Sequence, residues 1–164
     1  MSHIIGPEQG EHILSLASLA TIKIPADATG GAFSVTRHVV PPQGGPPPHT
    51  HEETEVIYIL DGTFDVVVGE ERTTAGAGTI LHVPPRTAHT TRNVGGHAGT
   101  QISIYMPGGG EGFFREIGTA ITGPEEAPDL DRPASMAGMD MARIRQLTAK
   151  YGMVIVPPAG SAEG

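Results

Sequence analysis

The sequence predicts an all-β fold, a sandwich or barrel, and three observations predict it. Short β-branched runs recur along the chain with turn residues between them. The 23 Gly and 15 Pro in a chain of 164 residues interleave with those runs, as tight turns between strands require. Helical periodicity is confined to one segment near the C-terminus. The length suits one domain with a sizeable core. We therefore expect a single domain over 1–164, with a barrel core at about 20–118, a helix at about 139–151 and a loose tail at 157–164.

The elements follow in order. The segment His12 to Ile24 is apolar, and from Ala20 onward it reads as a strand. Ala32 to Val40 alternates. Val56 to Leu60 is a compact apolar run closed by the turn Asp61-Gly62, with Phe64 to Val68 expected as its hairpin partner. Thr79 to Val83, Ala88 to Val94 and Thr100 to Met106 continue the series. Thr122 to Ala137 is turn-rich and reads as a surface connection. Met141, Ile144, Leu147 and Tyr151 then fall on one helical face, with Asp140 as N-cap and Gly152 just past the end. This helix is expected to cap a flank of the barrel.

Composition removes several function classes. A net charge of −8 disfavours nucleic acid and anionic membranes as partners. The absence of cysteine excludes disulfides, thiolate nucleophiles and iron–sulfur clusters. Lys23 and Lys150 are the only lysines, which leaves Schiff-base chemistry almost without a candidate. No apolar stretch reaches the roughly 20 residues a bilayer span needs, and Met1 to Gly10 lacks the features of a signal peptide. The expectation is a cytoplasmic protein acting on a small organic molecule.

Four side chains carry the chemistry. His49, His51, Glu55 and His89 are all metal-ligand types. Imidazole nitrogens with one carboxylate suit one mononuclear divalent transition metal: Fe, Mn, Ni, Co, Cu or Zn. In a strand, residues two apart share a face, so His49 and His51 can reach one ion together. Pro41-Pro42-Gln43-Gly44-Gly45-Pro46-Pro47-Pro48 stiffens the approach. Arg37 and His38 are neighbours, so only one can face a cavity; His82, Tyr105 and Phe114 are further pocket candidates, with Phe113 beside them. Glu53 reads as solvated, and Arg86 and Arg92 as surface residues. Ile57, Ile59, Val66, Val68, Ile80, Val83, Ile102 and Ile104 predict a largely apolar cavity.

Gly44 to Gly62 resembles the first motif of the cupin superfamily: Gly, a spacer, His-x-His, three residues, Glu, six residues, Gly. Gly78 to Asn93 resembles the second: Gly, five residues, Pro84, then His89, three residues, Asn93. The chain departs from the pattern at Arg86, where the family usually has Gly, and in a Gly44-to-His49 spacer of four residues instead of five. The resemblance implies a jelly-roll barrel with the metal inside, and an edge-strand homodimer for which His12 to Ile24 is the candidate segment. Thr29 to Phe33 and Gly112 to Glu116 resemble the quercetinase-like group. That likeness implies a dioxygenase acting on a flavonol-like or other enolisable aromatic or polyketide-like molecule, with Glu55 doubling as general base and dioxygen as co-substrate. The alternatives are a redox-neutral isomerase, lyase or cyclase, and a binding protein without turnover.

Overall fold

The computed structural model describes residues 4–135 and 137–157; most of the expected tail, from 158 onward, lies outside the described residues. The elements run β1 (Glu11–Ser15), β2 (Ser18–Ile24), β3 (Ser34–Val40), β4 (His49–Thr50), β5 (Thr54–Asp61), β6 (Thr63–Val68), β7 (Glu71–Gly76), β8 (Ile80–Val83), β9 (His89–Asn93), β10 (Gly99–Met106), α1 (Glu111–Ile117), β11 (Thr119–Ile121), α2 (Met141–Lys150) and β12 (Val154–Ile155). They build two antiparallel sheets, ordered β11-β1-β2-β3-β10-β5-β8 and β12-β4-β9-β6-β7. This is the all-β architecture the sequence predicts, two facing sheets in the manner of a jelly roll. No helix among the described residues is long and apolar enough to cross a membrane.

Strand parity decides the core. Along β5, Glu55, Ile57 and Ile59 point inward while Tyr58 and Leu60 are exposed. Val40, Ile57, Ile59 and Leu81 of one sheet meet Phe64, Val66 and Ala75 of the other. β5 and β6 are not the expected hairpin: β5 lies between β10 and β8, and β6 between β9 and β7. Both runs have a face to bury, and placing them in opposite sheets buries the two faces against each other. The chain crosses between sheets at Gly62 (φ 94), where a Cβ would stand 2.7 Å from the Gly99 Cα. Only glycine allows that approach.

The segment His12 to Ile24 holds two strands. They turn at Leu16 (φ 50) and Ala17 (φ 66), both in the left-handed region without a glycine. β1 pairs with β2 and β11, and β2 with β1 and β3. Neither strand is an edge, so the expected pairing of this segment across subunits is corrected; the sheet edges are β11, β8, β12 and β7. The C-terminal helix forms as predicted. Asp140 accepts from the Arg143 N–H at 3.0 Å, and Gly152 follows at φ 67. The seven-residue α1 was not expected, being too short to show periodicity.

Candidate metal centre and cavity

The two motifs meet through one register pair. β4 joins β9 with His49 opposite His89, and β12 closes the other side of β4 with Ile155 opposite His49. His51 follows directly, and its carbonyl accepts from the Arg86 N–H at 2.7 Å. Arg86 sits at φ 61 in the turn Pro84-Pro85-Arg86-Thr87, the position where a glycine is favoured. The turn survives the departure from the family pattern because Arg adopts the left-handed conformation.

Each imidazole is aimed by the same device. Nδ1 of His49 donates to the Pro47 carbonyl at 2.9 Å, Nδ1 of His51 to Glu53 at 3.1 Å, and Nδ1 of His89 to Thr87 at 2.9 Å. A carbonyl only accepts, so each Nδ1 carries the proton and each Nε2 is turned inward. Ligand atoms of the three histidines lie within 4.8 Å of one another, so this group could hold a metal ion. The Glu55 carboxylate stands beside two of them, with Oε2 at 3.1 Å from Nε2 of both His51 and His89. Glu55 is opposite Tyr105 on β10 and Val83 on β8.

The electrostatics follow from burial and neighbours. Burial raises the Glu55 carboxyl, but the adjoining His51 and His89 side chains outweigh it and hold the group well below the usual carboxylate range. Burial lowers His51, yet Glu53 and Glu55 overcome this and push it up to about 9. Burial and the neighbouring His89 bring His49 down to about 4. His38 falls to about 4 through burial, against the pull of Glu55. Burial and the Glu55 charge push the Tyr105 phenol well up.

The three histidines open onto a cavity of about 480 Å³ that also takes in Glu55, His38, Tyr105 and Phe114. His38 is the inward member of its pair, its ring meeting Phe114 edge-on at 5.1 Å. Arg37 is on the outer face of β3, and His82 is exposed on β8; neither reaches the cavity, because strand parity turns both away. Of the eight apolar residues expected to flank the cavity, Ile57 does. Ile59 and Val66 lie in the core, Val68 packs against it, Val83 is buried away from the cavity, and Ile80 is exposed. Ile102 and Ile104 are only half-buried, because β10 turns Gln101 and Ser103 inward instead. Glu53 is half-buried and lines the cavity, 3.4 Å from His51 Nδ1.

Sequence reasoning missed the apolar cover. Ile144 and Tyr151 of the α2 segment, with Met153 and Ile155, line the cavity, so the helix expected to cap a flank also belongs to the site. It also missed Ser15, Gln101 and Ser103. The shared parity of Gln101, Ser103 and Tyr105 was the available signal, masked by the more hydrophobic Ile102 and Ile104. An open groove of about 570 Å³ between Ile4, Lys23 and Phe33 is lined by none of the four ligand-type residues.

Comparison with known proteins agrees with this geometry. Residues 36–105 match the Cupin domain family. Over 122 residues the chain is 28% identical to a quercetin 2,3-dioxygenase of Bacillus subtilis (strain 168), covering 74% of this chain and 36% of that protein. The chain thus spans about a third of the length of the curated relative it matches. Three solved structures share the fold. An RmlC-like cupin from Shewanella frigidimarina has a TM-score of 0.57 at 19% identity, covering 65% of this chain and 92% of that one. The polyketide cyclase RemF from Streptomyces resistomycificus gives 0.56 at 19%, covering 65% and 80%. A predicted oxalate decarboxylase from Thermotoga maritima gives 0.59 at 17%, covering 64% and 99%. Both motifs fall within residues 36–105, the stretch that matches the Cupin domain family.

Proposed function

We propose that this protein is a metal-dependent dioxygenase of a flavonol-like or other enolisable aromatic molecule. The observation that carries the reading is the convergence of three Nε2 atoms, each imidazole locked from behind by a backbone carbonyl, at the wall of a mainly apolar cavity. The donor set fits a first-row transition metal, held by His49, His51 and His89 with Glu55 as the fourth ligand. The relative at 28% identity, a quercetin 2,3-dioxygenase, supports the substrate class.

A bound metal of this kind supplies Lewis acidity and an open position for substrate or dioxygen. The chain's own residues do the rest. The Glu55 carboxylate would accept the proton of a phenolic hydroxyl, which makes the substrate electron-rich. Phe114 and Ile144 offer apolar surface to an aromatic ring and exclude water. Tyr105, held protonated beside Glu55, would keep the carboxylate oriented.

Two measurements test this. Purified protein should carry close to one transition-metal ion per chain, and His89→Ala should remove most of it; no enrichment after reconstitution sinks the metal assignment. Turnover of quercetin should consume dioxygen and stop under argon. Equal turnover without air would instead establish redox-neutral chemistry.

A further inference from the structure

The wall formed by β2, β3 and β10 carries polar side chains that the metal centre does not use. Gln101 of β10 stands opposite His38 of β3, and His38 opposite Ala20 of β2; Ser15, at the end of β1, lines the same cavity. Gln101 and Ser15 are each 6% exposed, yet Gln101 Oε1 and Ser15 Oγ have no hydrogen-bond partner within the described protein. Orphaned buried polar atoms cost stability, so native proteins rarely keep them without a use. Here two of them line one cavity beside a third polar group.

Position and charge say what they would bind. Gln101 pairs with Ile59, four residues along β5 from Glu55, a rise of about 13 Å. A flat molecule of two or three rings spans such a distance. The group met there is neutral: burial keeps the His38 ring uncharged at neutral pH, and Gln and Ser bear no charge. The guanidinium that lines the cavity, Arg145, belongs to exposed α2 surface. An uncharged amide and imidazole suit a hydroxyl, which both donates and accepts, and do not compensate a carboxylate or phosphate. The backbone supports a built wall. Leu16, next to Ser15, also lines the cavity and is held at a φ of 50 that leucine rarely adopts.

We propose that Gln101, with His38 opposite it, forms a hydroxyl-binding subsite that takes a phenolic hydroxyl of an aromatic ligand at the end remote from His49, His51 and His89. The inference rests on the reading of the cavity as an aromatic-ligand site, and not on the reaction performed there.

The test uses metal-loaded full chain and two probes, quercetin and galangin, which differ by the two hydroxyls of the terminal ring. Titration should give about tenfold tighter binding of quercetin, the worth of one buried hydrogen bond. Gln101→Met should bring the two affinities to within about twofold by weakening quercetin alone. Gln101→Asn, which keeps the amide but withdraws it by one methylene, should cut the ratio partway and keeps the test alive if Gln101→Met does not fold. A ratio near one in the unmutated protein, or a tenfold ratio unchanged in the folded variants, overturns the subsite. Oxygen consumption is read separately. Preference for quercetin without oxygen consumption sinks the dioxygenase assignment and leaves the subsite standing; consumption with no preference does the reverse. No binding of either flavonol defeats both.

Discussion

The interior has two walls built on opposite rules. Between β5 and β6 it is dry: Ile57, Ile59, Phe64 and Val66 interlock, and Phe64 is fully buried against Gly62 and Gly99. Over β3 and β10 it is polar: Ser34, Thr36, His38, Gln101 and Ser103 point inward while Val35, Val39, Ile102 and Ile104 are less buried on the other face. Two of those inward groups, Thr36 Oγ1 and Gln101 Oε1, have no hydrogen-bond partner in the described protein. The dry wall stabilises the fold, and the polar wall carries a cost; of its orphaned groups, Gln101 lines the cavity.

This contrast breaks first if the dry wall is not the stabilising one. Phe64→Ala should lower unfolding stability by about 3–5 kcal/mol, because the Gly62–Gly99 corner cannot collapse into the void. Chemical denaturation reads the change, and a loss near that of a surface residue removes the distinction.

The second prediction concerns an anchor at the end of β10. Buried Glu111 accepts from the Ala26 N–H at 2.7 Å and the Gly109 N–H at 2.9 Å. Burial raises its carboxyl, but hydrogen bonds from these amides and from Ser34 prevail, and the net shift is downward. A depressed folded pKa means the carboxylate's stabilisation is present above the unfolded value, about 4.3. It is lost as pH falls through the lower folded value. Glu111→Gln should cost about 2 kcal/mol at pH 7 and flatten the acid limb of the stability curve below pH 4.3. Parallel acid limbs in the two proteins would show that Glu111 does not titrate in this window.

The smallest effect sharpens the contrast most, because its sign is opposite. Thr36→Val replaces an orphaned hydroxyl by a methyl of similar shape, and should be neutral or stabilising by up to about 1 kcal/mol. Metal content should not change. A loss above that size would mean that Thr36 has a partner which the dry-wall rule does not need.

The four candidate ligands were legible because each motif compresses its donors into a short stretch, and one antiparallel pair, His49 with His89, brings the stretches together. The strands were legible where β-branched runs met turn residues. Partners were not. The Asp61-Gly62 turn looks like a hairpin locally, and only the second sheet makes it a corner. The identity of the inward face was misread on β10, because hydropathy favours burying Ile102 and Ile104 over Gln101 and Ser103. The cover was missed for a similar reason: α1 is too short for a period, and β12 exists only because β4 offers it an edge.

Taken alone, the amino-acid order showed a strand-rich chain with two cupin-like motifs and, within them, three histidines and a glutamate as candidate ligands. Those properties depend on residue type and on spacing within a few residues, which covalent geometry fixes. The tertiary structure decided which face of β3 and β10 looks inward, what covers the cavity, and where unpaired polar atoms collect. Those depend on contacts between residues far apart in the chain, where packing overrides local hydropathy.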